Sequence, residues 1–184
     1  MKVLKNILSQ LHTYVLFALL AAVFWSFIFG IITDAPVENK IVIFADAYSC
    51  EGKALDIELE KNRPDGIRII RAHTFDYVMF DEVSLLNADI YLVPEENAAD
   101  YLDSFSSFDP SVLPWDDPQI WSWEGADYGV KFDGAQSYIK FVPENMVCGD
   151  VYLFFGKNSQ HTASLNGSAD DAALLVAYEL SQLK

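Results

Sequence analysis

Apolar and polar positions divide this chain into one long charge-free block and a remainder of short, alternating segments. Tyr14–Ile32 (YVLFALLAAVFWSFIFGII) carries no charge. About 18 consecutive apolar residues suffice for a helix to cross a bilayer core, so the block predicts a single transmembrane anchor. Lys2 and Lys5 precede it without any acid, whereas Asp34 and Glu38 come after it before the first base, Lys40. Excess positive charge stays cytoplasmic, which sets the N-terminus inside and the bulk of the chain outside. The rival is a cleaved signal peptide, whose apolar core is shorter and ends in small residues of A-x-A type. Gly30-Ile31-Ile32-Thr33-Asp34 lacks that ending. The expected layout is a cytoplasmic stub over 1–13, a single-pass anchor over 14–33 and an extracellular α/β domain over 34–184.

Beyond the block the pattern changes to strand and helix periods. Lys40–Ala47 (KIVIFADA) is a continuous β-branched run, as in a strand covered on both faces. Glu51–Lys61 is built of strong helix formers and ends at the turn residues Asn62-Arg63-Pro64-Asp65-Gly66. Ile67–Ala72 predicts a second strand. Phe75, Met79, Val83 and Leu86 recur at helical spacing, Asp89–Pro94 (DIYLVP) predicts a third strand, and Asn97–Phe105 a short helix. This alternation predicts a mostly parallel sheet with helices on both faces. Asp103–Trp123, with Pro110, Pro114 and Pro118, is expected to be irregular. Strand patterns return at Tyr128–Phe132, Ser137–Val142 and Val151–Phe155, the first two close enough around Asp133-Gly134 to form a hairpin. A final helix is expected with Ser168 as its N-cap and Ala173, Ala177 and Leu180 on its buried stripe.

Charge then narrows the partners. All 27 acidic residues and 10 of the 12 Lys and Arg lie after the block, so the outer domain carries −17. Such a surface repels phosphate backbones and anionic headgroups, which argues against nucleic acid and peripheral lipid. It suits either plain solubility or the attraction of a cationic ligand, a metal or a basic polymer. The domain is large enough for one core, and its aromatic content excludes disorder as the main description. Cys50 and Cys148 are too few for a disulfide framework; a single bridge and two buried free thiols both remain open.

Two stretches carry a resemblance. KIVIFADAYSCEGKALDIELEK followed by GIRIIRAHTFDYVMFDEVSLLNADIYLVPEENAADYL resembles the first lobe of extracellular solute-binding proteins of ABC importers, of periplasmic-binding-protein type II. VYLFFGKNSQHTASLNGSADDAALLVAYEL is similar to the return strand and following helix of that lobe. The family inserts a second lobe between these stretches, and this chain has too few residues there for one. The resemblance therefore implies a single lobe, which cannot close over a solute as two lobes do.

Candidate contact residues follow from strand ends, because open α/β sheets bind ligands outside the carboxyl ends of their strands. The first strand delivers Asp46, Tyr48 and Ser49 to that edge and the third delivers Glu95, Glu96 and Asn97. A cation, an amine or a sugar hydroxyl suits this polar half-cleft, while solvated loop residues and a helix cap are the simpler account. Trp121 and Trp123, with Trp115 and the acids Asp116, Asp117, Glu124 and Asp127, either stack on a ligand or pin an irregular loop to the sheet. These acids lack the spacing of a calcium loop. Lys157-Asn158-Ser159, His161 and Asn166-Gly167-Ser168 flank the last strand and start the last helix, where capping is the simpler role than anion binding.

The chain has no G-x-S-x-G, H-E-x-x-H, G-x-x-x-x-G-K-[ST] or G-x-G-x-x-G motif. No cofactor, metal or catalytic residue is expected. The expectation is a non-catalytic, membrane-anchored extracellular binding module for a small solute or an envelope protein. The alternative is a structural or regulatory subunit of a membrane transporter complex, held through Gly30, Ser26 and Ala21-Ala22 of the span. A second copy completing the half-cleft is a further expectation that solution mass would decide.

Overall fold

A computed structural model describes residues 2–33, 35–74, 88–143, 146–147 and 149–184. The expected helix through Phe75, Met79, Val83 and Leu86, and Cys148, lie outside the described residues. The chain divides into two units, Met1–Pro36 and Val37–Lys184.

The first unit is one helix, α1, over Lys2–Thr33, and it contains the whole charge-free block. It starts well before the expected boundary at Tyr14, because Lys2 to Thr13 holds no Gly or Pro to stop a helix. In α1, side chains are described for Leu11 and residues 13–29, and Phe17, Val23, Trp25 and Phe27 among them are exposed. Among the described residues no helix is long and apolar enough to cross a membrane; the described side chains end three residues before the block does.

The second unit is α/β. Its elements are β1 (Lys40–Ala45), β2 (Ser49–Cys50), α2 (Gly52–Leu59), β3 (Ile69–Thr74), β4 (Ile90–Pro94), β5 (Ile120–Trp123), β6 (Ala126–Phe132), β7 (Ile139–Lys140), β8 (Val151–Phe155), α3 (Ala163–Asn166) and α4 (Ala172–Gln182). Among the described residues the main sheet runs β3-β1-β4-β8-β6-β5, and β2 pairs with β7 in a small separate sheet. β1 is parallel to β3 and to β4, as the apolar runs predicted. The remaining pairs, β4–β8, β8–β6 and β6–β5, are antiparallel, so the sheet is mixed rather than mostly parallel. Two features reverse the chain direction: β8 returns beside β4, and a two-residue turn joins β5 to β6.

That turn corrects the predicted hairpin. Glu124 and Gly125 have φ of 49° and 85°, the positive values that a two-residue type I′ turn needs at both centres. β5 therefore lies inside the stretch expected to be irregular. Asp133-Gly134, despite its turn-like composition, is no hairpin. Gly134 lies against the backbone of Leu180 and Ser181, the Ala135 N–H donates to the Leu183 carbonyl, and β7 leaves to pair with β2.

The sheet buries two different faces. On one, Ile41, Ile43, Ile70, Leu92, Leu153 and Phe155 pack beneath α2 and α4, whose Leu55, Leu59, Ala173, Ala177 and Leu180 point inward. The expected buried stripe of the last helix is thus present, but Asp171 rather than Ser168 is its N-cap. Ser168 instead accepts a bond from the Thr162 N–H at 2.9 Å. The other face is aromatic: Phe44, Tyr91, Trp121, Tyr152 and Phe154 lie with Ala98 and Phe105. Its described cover is a 3-10 segment, Glu95–Ser104, where a short α-helix was expected; helices on both faces are therefore not what the described residues show. Each large side chain buried in these layers contributes roughly 1.5–3 kcal/mol.

Candidate functional site

β1 and β4 run side by side, and both end at the same edge of the sheet. The Asp46 N–H donates to the Leu92 carbonyl at 2.9 Å, which holds the residue after β1 against β4. Proline at the end of β4 cannot extend a helix backward, so the chain turns directly into Glu95–Ser104 and brings Asn97 to this edge. The Asn97 amide donates to the Asp46 carboxylate at 2.8 Å. Tyr101 donates to the same carboxylate from one turn further along, with its ring 5.9 Å from Phe44. Burial first, then the Asp46 and Asp100 carboxylates, push the Tyr101 phenol up to about 12, so it remains a donor at neutral pH.

This cluster joins two of the predicted residues and adds a third, Tyr101, that the sequence pattern did not single out. Glu95 and Glu96 stand exposed at the start of the same 3-10 segment, with the Glu95 N–H bound to the Asp150 carbonyl. Tyr48 and Ser49 are exposed on the segment leaving β1, where Ser49 pairs with Lys140 instead of facing β4. Trp121 and Trp123 are not part of the cluster. They sit on β5, at the far end of the strand order from β1.

Trp121 and Trp115 are packed against the sheet and the last helix, and Trp123 is the exposed ring of the three. Trp121 is buried, meeting Phe154 edge-on at 5.4 Å. Trp115 is pinned to the last helix by a 3.0 Å bond from its indole N–H to Ser181 Oγ. Trp123 is 40% exposed and stacks on Trp121 with centroids 5.8 Å apart. Beside the β5–β6 turn a shallow open cleft of about 580 Å³ is lined by Ser107, Phe108, Asp109, Asp127, Ser164 and Leu165.

A second polar group, buried beneath the start of α4, joins Ser159 and His161, both singled out from the sequence, to Asp170 and to Asp89, which was not. Asp89 is 4% exposed and accepts from the Val42 N–H at 2.9 Å and from Ser159 Oγ at 2.6 Å. His161, 1% exposed, has Nδ1 at 2.9 Å from Asp170 and Nε2 at 3.2 Å from the Val37 carbonyl. Both ring nitrogens face acceptors, which suits the doubly protonated ring. Burial alone would lower its pKa; Asp170, the Val37 carbonyl and Asp89 outweigh it and hold the imidazole above its ordinary value. Burial pushes the Asp89 carboxyl up, against the pull of Ser159 and Val42. Ser159 thus gives its proton to a carboxylate, and the histidine has no free nitrogen to take one. The group is a brace between β1, β4, the last strand and α4, and it cannot act as a serine–histidine relay.

Among the described residues Cys50 is a half-buried free thiol, pushed up to about 11 by burial and by Asp56 and Glu51, so it is protonated at neutral pH. Among the described residues no group of three or more His, Cys, Asp or Glu is placed to hold a metal ion. No family model, curated protein or solved structure matches this chain.

Proposed function

We propose that the chain is a membrane-anchored binding module that presents one polar sheet edge outside the membrane, in the manner of a single solute-binding lobe. The observation that carries the reading is the Asp46–Asn97 bond. It fixes a carboxylate at the paired carboxyl ends of two parallel strands, the place where open α/β sheets take their ligands. Glu95 and Glu96 extend that edge with exposed acid, so a cation, an amine or a polyhydroxylated solute is the class it suits.

Two further observations support the rest. β1, α2, β3 and β4 follow one another as in the first lobe of extracellular solute-binding proteins of ABC importers, and Val151–Phe155 returns to the same sheet as β8. For the anchor, the uncharged block lies wholly inside α1. At about 1.5 Å per residue it reaches roughly 28 Å, against a hydrocarbon core of about 30 Å. Exposed Phe17, Val23, Trp25 and Phe27 need apolar surroundings.

A thermal-shift screen of the full chain in mild detergent tests this, using sugars, amino acids, polyamines and divalent cations. One class should raise the wild-type transition and fail to raise that of the Glu95→Ala/Glu96→Ala variant. No shift with any class, or equal shifts in both proteins, would remove this edge as a contact surface.

A further inference from the structure

β5 is the last strand of the sheet, and its outer side is free of partners among the described residues. The Lys131 N–H bonds to the Gln119 carbonyl at 2.8 Å, and Trp121 is paired with Gly129. In an antiparallel pair alternate residues turn their backbone groups inward; the register shift between Trp121 and Ser122 puts its extra residue, Tyr128, on β6, so Gln119, Trp121 and Trp123 all face β6. Ile120 and Ser122 then turn their N–H and C=O groups outward, as an edge strand offers them to an added strand.

The side chains near this edge include two indoles and several acids, with no base in β5 itself. Trp121 and Trp123 share a face, two residues apart, and the buried Trp121 ring holds the exposed Trp123 ring nearly parallel to itself, at 12°. A fixed indole face attracts a guanidinium or ammonium group. Glu124 follows Trp123 directly in the chain and is exposed, as are Asp116 and Asp117 in the segment that leads into β5, while Asp127 accepts from Ser122 Oγ at 2.6 Å. No Lys or Arg occurs between Arg71 and Lys131, while that interval holds thirteen Asp and Glu. A second copy of this chain, with its net charge of −15, would meet the edge with like charge.

We propose that the outer edge of β5 pairs with an extended cationic segment of another protein, which adds a strand beside Ile120–Trp123 and lays a basic side chain on Trp123. The four-residue edge offers few backbone bonds, so the indole and the charge must supply much of the affinity, and the contact is weak and salt-sensitive. It is independent of the Asp46–Asn97 edge.

The probe is a fluorescent ten-residue peptide of alternating Arg and Thr, measured by anisotropy against the full chain in detergent. Two controls accompany it: the same peptide N-methylated on alternate backbone nitrogens, and an alternating Glu–Thr peptide. Binding by the Arg–Thr peptide is expected to fall at least tenfold on N-methylation and at least tenfold in Trp123→Ala, with none for Glu–Thr. Trp123→Ala leaves the buried Trp121 in place, and its thermal transition checks that the fold is intact. A Trp123→Thr variant repeats the test with a strand-forming residue. Absence of Arg–Thr binding, unchanged binding of the N-methylated peptide, or unchanged affinity in both Trp123 variants would overturn the proposal, the middle result showing charge attraction without strand addition.

Discussion

Asn97 and Asp46 are joined by a 2.8 Å hydrogen bond although 51 residues separate them. One follows β4 and the other follows β1, so the bond closes the gap between the ends of two parallel strands and gives the edge a fixed carboxylate. Its geometry depends on backbone already held in place, since the Asp46 N–H is bound to β4.

Asn97→Ala removes one of the two side-chain donors to Asp46 and leaves Tyr101. The expected loss is about 1 kcal/mol in unfolding free energy, the usual net worth of a single hydrogen bond. Asn97→Ala combined with Tyr101→Phe should cost more, because the half-buried carboxylate then loses both side-chain donors. Urea denaturation checks this. No change in either variant would mean that the edge is not braced by these bonds.

The His161 brace predicts a pH dependence. Its folded pKa lies above the ordinary 6.5, so the stabilisation it gives is complete below 6.5 and is lost as pH rises through the folded value. Other shifted groups act elsewhere. Asp56 and Asp89, raised, act above their ordinary 3.8; His73, lowered by burial, acts below 6.5 in the opposite sense; Cys50 acts only above its ordinary 9.0. The thermal transition should therefore fall as pH rises above 6.5, and His161→Gln should flatten that slope. A wild-type transition that rises over the same interval would contradict the assignment.

Gly129 predicts a packing cost. It lies between Trp121 and Phe154 in the strand register, and a Cβ there would come 2.5 Å from Phe154 Cε1. Phe154 cannot retreat, because it is fully buried and stacked on Phe105 with centroids 4.0 Å apart. Gly129→Ala should cost about 1–3 kcal/mol, as overpacked cores do. Calorimetry would show it as a lowered transition, and an unchanged one would mean the aromatic face yields more than its packing suggests.

What the sequence made readable was the part built from continuous local signals. The β-branched run at Lys40 and the apolar run at Ile90 are strands because nearly every residue in them is buried, and such runs need no partner to be recognised. The paired strand ends that carry Asp46 and Asn97 followed from that. The β5–β6 hairpin was hidden by its chemistry. Glu124 holds a positive φ without being Asn, Asp or Gly, and the prolines before it suggested a loop. Asp133-Gly134 had hairpin composition but is used to pass beneath the last helix. Ser159 and His161 of the buried brace stood out in the sequence, but their link to Asp89 did not, since Asp89 and Ser159 lie 70 residues apart and meet only when β4 and the return strand pair.

In the proposed arrangement the domain over 37–184 faces outward from its anchor. Right-side-out membrane vesicles from cells expressing the full chain, treated with protease and then pelleted after an alkaline wash, test it directly. The domain over 37–184 should be digested, and a fragment containing α1 should stay in the pellet. An intact protease-resistant chain would contradict the orientation, and release of the untreated chain by the alkaline wash would contradict the anchor.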